Sequence, residues 1–255
     1  MKTNLTDVTF LILVRLDSIE RLENTLIITE SLVKYFDTNV VVWEADSYNK
    51  GLLQKLINRR INYRFIEDKD SVLHKTMYYN QMSKKVKTPY MAIWDTDTVV
   101  DEKAIMESVI KLREEYDSVY PYAGSFYEIP EMIKRLYVKR KDIRILYRNQ
   151  DKMRLLYDKI LYGGAVFVKK VKYMETGGDS ETIYGWGNDD FYRYEKWKTL
   201  GYRIFRTQNP LFHLPHPRGI NSRFRSQFSS KISIAEMINL TNSIKEEIMR
   251  ESTEN

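Results

Sequence analysis

Two aspartates spaced two apart, Asp95 and Asp97, close an apolar stretch, Tyr90-Met-Ala-Ile-Trp-Asp-Thr-Asp-Thr-Val-Val100. Met91, Ala92, Ile93 and Trp94, with Val99 and Val100, give an apolar run that predicts a central strand covered on both faces. On an extended chain, residues two apart point to one side. Two carboxylates about 6–7 Å apart repel by roughly 2–3 kcal/mol at an effective dielectric near 20. A divalent cation carrying a phosphate ligand would offset that repulsion. The plainer alternative is a solvated turn, or a cap for the next helix. Two further groups could do chemistry: the acid pair Asp189–Asp190, and His213 with His216. The acids could simply stabilise a helix N-terminus, and a lone histidine is often just hydrogen-bonded. An imidazole that ligates a metal must be neutral, so a metal role predicts activity loss at acid pH.

These residues need a scaffold, and the hydrophobic pattern supplies one. Val8–Val14 reads as a first strand buried on both faces, followed by Arg15 and Asp17. Asp17, with Glu20 three residues on, is the expected cap of a helix running to Phe36. Val40–Trp43 is a second strand ending in Glu44-Ala-Asp46, and Tyr63–Ile66 a third ending in Glu67-Asp68, with a short helix at Leu52–Asn58 between them. A helix over 71–86, carrying Lys75 and Asn80, precedes the aspartate strand. Strands alternating with helices in this way predict a mostly parallel α/β sheet. Ligands in such sheets collect at the carboxyl ends of the strands. Arg15, Asp17, Glu44, Asp46, Asp68, Asp95 and Asp97 are therefore expected along one edge; Arg15, Asp17, Glu44, Asp46 and Asp68 are candidates to face a nucleotide, with Asn80 and Lys75 weaker ones.

Beyond Val100, Asp101 should cap a helix to Tyr116, and Ser118–Ile129 reads as an irregular aromatic strand. Residues 130–159 are rich in Lys and Arg interleaved with Tyr and Leu, which predicts one or two amphipathic helices. Their basic face is either solvated or meets an anionic membrane or an acceptor phosphate. Tyr162–Val168 is a strand whose Gly163-Gly164 lets a ligand approach the backbone. A helix is expected after Asp190 as far as Leu200, stopped by Gly201, and a strand at Tyr202–Phe205. Residues 232–249 show helical periodicity and should pack across the domain.

At 255 residues, the chain can bury roughly 70–75% of its unfolded surface without staples. It has no cysteine, which excludes disulfides and thiolate metal sites and agrees with a reducing compartment. No signal-peptide pattern and no apolar run of about eighteen residues occurs. A net charge of +6 favours an anionic partner, a nucleotide, phospholipid or lipid-linked phosphate, without specifying nucleic acid.

In order, Asp95-x-Asp97, Gly163-Gly164, Gly185-Trp-Gly-Asn-Asp-Asp190 and His213-x-x-His216 resemble a GT-A fold glycosyltransferase, most like the group of β-1,4-galactosyltransferases and bacterial chondroitin-type polymerases. The similarity covers most of residues 8–220. It implies a single GT-A domain over 1–225, its nucleotide-binding half 1–100 and its acceptor half 101–225 with the basic helical insertion, followed by a C-terminal helix, 226–255. It also implies an inverting, metal-dependent transfer of a hexose, galactose or N-acetylgalactosamine, from a UDP-sugar to a glycan or lipid-linked acceptor. Mn²⁺ or Mg²⁺ would be held by Asp97, with Asp95 supporting it or facing the ribose, and by His213 or else His216. Asp190 matches the catalytic base and Asp189 the acceptor-contacting acid, while Tyr184, Trp186, Gly163 and Gly164 complete the acceptor side. Asn188 replaces a glycine and Asp189 a glutamate of the common pattern, which alters the acceptor contacts. The expected setting is surface-polysaccharide assembly in the cytoplasm, with peripheral contact at the inner membrane face and no nucleic-acid partner.

Two rival classes differ in testable ways. A nucleotidyltransferase also uses metal-bound aspartates but usually has a glycine-rich basic loop after the first strand, which Arg15-Leu-Asp17 lacks. A non-catalytic glycan- or membrane-binding module has no need of Asp95, Asp97, Asp189 or Asp190.

Overall fold

Val8-Thr-Phe-Leu-Ile-Leu-Val14 has too many consecutive apolar residues to leave either face in water. In the computed structural model, which describes residues 2–219, 221, 231, 234–235, 238–239, 241–246 and 249–250, it is an inner strand of the larger of two sheets. The first half runs β1 (Thr3–Val14), α1 (Ile19–Tyr35), β2 (Phe36–Asp46), α2 (Leu52–Leu56), β3 (Asn62–Glu67), α3 (Lys75–Lys85), β4 (Tyr90–Trp94) and β5 (Thr98–Val99). Next come α4 (Glu102–Glu114), β6 (Ser118–Tyr120), β7 (Phe126–Glu128), α5 (Glu131–Arg140), α6 (Arg144–Arg148) and β8 (Arg154–Leu155). The chain continues through β9 (Ala165–Lys169), α7 (Lys170–Glu175), α8 (Asp189–Thr199), β10 (Ile204–Arg206) and β11 (Leu211–His213).

The large sheet has the order β10-β6-β9-β4-β1-β2-β3 and is parallel except for β9, which runs antiparallel to both β4 and β6. It is flanked by helices, as the alternation of patterns predicts, and is the mixed, mostly parallel α/β sheet expected. The antiparallel strand matters for the site. Trp94 at the end of β4 pairs with Ala165 at the start of β9, so Gly163-Gly164 lies beside the aspartates. Phe10, Trp94 and Phe167 pack edge to face at 5.4–5.7 Å in the core beneath them.

The second sheet, β5-β11-β7-β8, is small but decisive. Its β5 and β11 pair antiparallel with His213 opposite Thr98, one residue beyond Asp97. This corrects the expected single strand over Tyr90–Val100. The chain leaves the large sheet after Trp94, turns through Asp95, Thr96 and Asp97, and joins the other sheet at Thr98. The indole Nε1 of Trp94 donates to the Thr98 carbonyl (3.1 Å) across that turn. The Asp95 amide donates to Gly164 O (2.8 Å) and the Leu214 amide to Asp97 O (2.8 Å). The aspartates are therefore held by three long-range or turn-spanning bonds, not by strand geometry.

Other differences have local causes. Ser18, not Asp17, caps α1, accepting from the Arg21 amide (3.1 Å); Asp17 instead receives the Arg21 side chain. The helix expected over 71–86 begins at Lys75, because Asp70 and Asn221 side chains take the Val72 and Leu73 amides. The aromatic segment Ser118–Ile129 divides into β6 and β7, one in each sheet. Asp101 caps α4 as expected, accepting from the Lys103 amide. The expected helix 232–249 lies partly outside the described residues; 241–246 within it are helical. No helix among the described residues is long and apolar enough to cross a membrane.

Candidate active site

A cavity of about 620 Å³ opens where β1 and β4 end and β9 begins. It is lined at one end by Asp97, His213 and His216 and at the other by Gly163, Asp189, Asp190 and Phe191. The Asp97 and histidine donor atoms all lie within 4.8 Å of one another. His216 Nε2 is 3.1 Å from Asp97 Oδ2, and His213 Nε2 is 3.9 Å from Oδ1. The turn after β4 brings in the carboxylate, and the pairing of β5 with β11 brings in His213. The short Leu214-Pro215 link then returns His216 to the same point.

Charge and burial suit this cluster to a cation. Burial lowers the His213 pKa to about 4 despite the neighbouring Asp97, so the ring is neutral at physiological pH and has a lone pair to donate. Its Nδ1 is buried without a hydrogen-bond partner among the described residues. Burial alone would raise the Asp97 carboxyl, but His213, His216 and Arg21 outweigh it and hold the group well below the usual carboxylate range. Arg21 reaches Asp97 Oδ2 (3.1 Å) and His216 Nδ1 (3.2 Å), adding positive charge where an anionic ligand would sit. One carboxylate and two imidazoles make a donor set that fits a divalent transition ion.

At the other end, the N-terminus of α8 carries the acid pair. Asn188 enters the helix at φ 64°, a left-handed conformation that asparagine tolerates. Lys75 on α3 stands 3.6 Å from Asp95 Oδ1 and 3.6 Å from Asp189 Oδ2, so it offsets the repulsion between the two acids. Asp95 is thus turned to Lys75 and lies outside the Asp97–His213–His216 donor cluster. Burial raises the Asp95 carboxyl, with Lys75 opposing it.

Asp190 keeps about a quarter of its side chain open (26%), and receives Arg193 on Oδ1 at 2.8 Å. Burial, then Asp189, push its pKa to about 7, against Lys75 and Arg193. A carboxyl that titrates near neutrality, inside a cavity, is suited to take a proton from a hydroxyl. Gly163 leaves room for it: a Cβ there would lie 2.5 Å from Asp190 Oδ2. Gly163→Ala should therefore displace the carboxylate and lower turnover by about 10²-fold, read by comparing kcat of the variant with that of the parent. Gly164, at φ 80°, has no space for a Cβ either, with Phe126 Cζ 2.8 Å from where it would stand.

The remaining residues singled out from the sequence divide into two groups. Arg15, Asp17 and Trp186 line the cavity. Arg15 is engaged with Ala45 O, Asp70 O and Asp68. Glu44, Asp46, Asp68, Asn80 and Tyr184 do not line it. Glu44 accepts from Tyr63 (2.7 Å), and burial raises its carboxyl. Asp46 pairs with Lys50 (2.6 Å) and Asp68 with Arg15 (2.5 Å). Asn80 ties down Asp179, and the Tyr184 hydroxyl donates to Asp70. Arg21 and Arg193 were not singled out. Their spacing, four residues after Asp17 and three after Asp190 on helices, is the signal that would have found them.

No protein-family model and no curated protein matches the sequence. The shape matches 424 chains of solved structures, so fold similarity extends well past recognisable sequence similarity. The fold is that of GT-A glycosyltransferases. A mannosyltransferase from Pyrobaculum calidifontis, solved with GDP-Man and Mn²⁺, superimposes with a TM-score of 0.55 at 14% identity over 91% of this chain. The catalytic domain of Drosophila β1,4-galactosyltransferase 7, solved with xylobiose, gives 0.52 at 15% identity, again over 91% of this chain and over 79% of its own. The chain spans 61% of the mannosyltransferase. Within the GT-A fold, the cavity at the strand ends and the two clusters it joins define the candidate active site.

Proposed function

We propose that the chain is a metal-dependent, inverting glycosyltransferase that moves a hexose from a UDP-sugar, galactose or N-acetylgalactosamine foremost, to a glycan or lipid-linked acceptor. One observation carries this reading: a carboxylate–imidazole cluster able to hold a cation and a buried carboxyl, Asp190, pushed up to about 7, line a single cavity. The fold supports it, because a mannosyltransferase solved with GDP-Man and Mn²⁺ shares this architecture. The mixed carboxylate–imidazole set favours Mn²⁺ over Mg²⁺, which prefers an all-oxygen shell. Bound at Asp97, His213 and His216, the cation would supply positive charge for the departing diphosphate.

The chain's own groups do the rest. Arg21 adds a second positive charge beside Asp97 for the leaving diphosphate. Asp190 Oδ2 accepts the proton of the acceptor hydroxyl as the hydroxyl oxygen bonds to the anomeric carbon and the bond from that carbon to the diphosphate oxygen breaks. Attack from the side opposite the diphosphate inverts the anomeric centre. Lys75 holds Asp189 and Asp95 in place, leaving Asp189 to contact acceptor hydroxyls. Trp186 is positioned on the cavity wall to stack on a sugar face.

Titrating UDP by calorimetry with and without Mn²⁺ tests this directly, followed by a UDP-sugar screen for slow metal-dependent hydrolysis. Binding that strengthens with metal is expected. UDP binding indifferent to every divalent ion tried would remove the reading.

The same reading includes surface-polysaccharide assembly in the cytoplasm, with contact at the inner face of the membrane. On α5, Met132 (77% exposed), Arg135, Leu136 (48% exposed), Lys139 and Arg140 recur at helical spacing on the side opposite buried Ile133 and Tyr137. Apolar side chains flanked by cations fit an anionic lipid surface. Cosedimentation with phosphatidylglycerol vesicles, but not with phosphatidylcholine vesicles, is expected, and Met132→Glu with Leu136→Glu should abolish it. Equal recovery with both lipids, or none, would count against membrane contact.

A further inference from the structure

The groups around Asp190 include a buried ion cluster that the chemistry above leaves unused. Arg193, on α8 and only 1% exposed, donates from Nε and one terminal nitrogen to the two carboxylate oxygens of Asp179 (2.7 and 2.6 Å). Its other terminal nitrogen donates to Asp190 Oδ1 (2.8 Å). Each of its three nitrogens thus donates to one of two carboxylates, with the planar fork fixing their relative placement.

Asp179 is itself immobilised from outside α8. Its amide donates to Asn80 Oδ1 (2.8 Å) and its carbonyl accepts from Asn80 Nδ2 (2.9 Å). Tyr173 completes this anchor by donating to Asn80 Oδ1 (2.8 Å), and Lys196 clamps the preceding backbone through the Gly178 carbonyl. Asn80 sits on α3, the helix that also delivers Lys75 to the acid pair. The chain of contacts therefore locks the start of α8 against α3. With Oδ1 held by Arg193, Asp190 turns Oδ2 to Gly163 at the cavity wall.

We propose that Arg193, oriented by Asp179, is the positioning residue that holds Asp190 with one carboxylate oxygen directed into the cavity. This rests on Asp190 acting as the base. The guanidinium has a second effect on the same group, since it is one of two cations opposing the burial of that carboxyl. The charged and titratable groups facing Asp190 are Asp189 and Arg193 from α8, Lys75 and Tyr79 from α3, Asp95 from the aspartate turn, and Tyr120 and Tyr122 from the neighbouring aromatic segment. Removing Arg193 leaves Lys75 to oppose that burial.

The test must separate positioning from a merely structural ion pair. Only the carboxylate of Asp179 contacts Arg193, while its backbone carries the Asn80 bonds, so the pair can be replaced as a unit. In R193M/D179L, apolar groups of similar bulk replace both charges, a change that often leaves stability intact. The expected result is a thermal midpoint near that of the parent and unchanged Mn²⁺-dependent UDP binding. Transfer kcat should fall about tenfold or more, and the acid limb of the kcat/KM profile should move up by roughly one pH unit. R193K, which keeps the charge but not the fork, should hold the acid limb near its parental position and recover only part of kcat.

A stable R193M/D179L variant with parental kcat and pH profile overturns the proposal. If that variant does not fold, R193K decides: full parental kcat there overturns it equally. Asp190→Asn is run alongside. Should Asp190→Asn turn over normally, the assignment of the base itself fails, whereas a crippled Asp190→Asn beside a normal R193M/D179L sinks the positioning role alone.

Discussion

Asp190→Asn is expected to lower turnover by about 10²–10⁴-fold, the range that a positioned base supplies, or roughly 3–5 kcal/mol of barrier. Metal-dependent UDP binding should survive, because Asp190 is not among the Asp97, His213 and His216 donors. The asparagine Oδ1 can still accept from Arg193, so the local geometry should persist. Single-turnover transfer and UDP calorimetry on the same preparation separate the two effects. In the parent, a pKa raised to about 7 by burial and Asp189 means that the base is protonated, and the rate falls, as pH drops through neutrality.

The same shift has a stability consequence whose sign is fixed. The folded state raises this carboxyl above its ordinary 3.8, so it favours the protonated form. Its contribution to stability is full below about pH 4 and is lost as pH rises through 7. Asparagine is neutral throughout. The variant should therefore melt above the parent at pH 8 and close to it at pH 4. A variant that gains stability where it loses activity marks a group kept against the interest of folding. Parental turnover in Asp190→Asn would transfer the role to another group, with Asp189 next in line.

Which parts of this site were legible follows from how far apart the deciding partners are. The apolar runs of β1, β2 and β4 need burial on both faces, and that requirement alone predicts a central sheet with its polar residues at the strand ends. The period-two reading failed at Asp95 and Asp97, where Trp94 Nε1 reaches Thr98 O and the chain changes sheets. Nothing local announces that Gly164 O and the Leu214 amide, some 70 and 117 positions beyond in a chain of 255, will hold the turn, as the bonds from Asp95 N to Gly164 O and from Leu214 N to Asp97 O do. Likewise Glu44, Asp46 and Asp68 do stand at strand ends, yet Tyr63, Lys50 and Arg15 engage them. An acidic residue at a strand end is visible in sequence. Whether a cation or hydroxyl from another element has already claimed it is not. The histidines show the converse: the spacing His213-x-x-His216 left two alternatives, and the fold brings both to Asp97.

Removing a donor from that cluster should produce the other large effect. Outer partners of metal ligands commonly contribute 10–100-fold in affinity, so loss of a direct donor should cost at least about 10²-fold. Asp97→Asn is expected to abolish the Mn²⁺-dependent part of UDP binding while leaving the fold intact, as the Leu214 amide bond uses only the Asp97 backbone. It also removes the negative charge beside Arg21, His213 and His216, so the site loses the counter-charge that Arg21 faces. His213→Ala and His216→Ala test the two rings separately. His213 is held in β11 with Nδ1 unpaired and Nε2 facing Asp97, and its loss should weaken Mn²⁺ even when UDP is absent. His216 shares Nδ1 with Arg21 and presents Nε2 to Asp97, so its loss should weaken both the ion and the placement of Arg21. Mn²⁺ affinity read by electron paramagnetic resonance, with UDP binding read separately, distinguishes these outcomes. Parental Mn²⁺ affinity in all three variants would place the cation elsewhere and leave Asp97 as a partner of Arg21 and the two histidines.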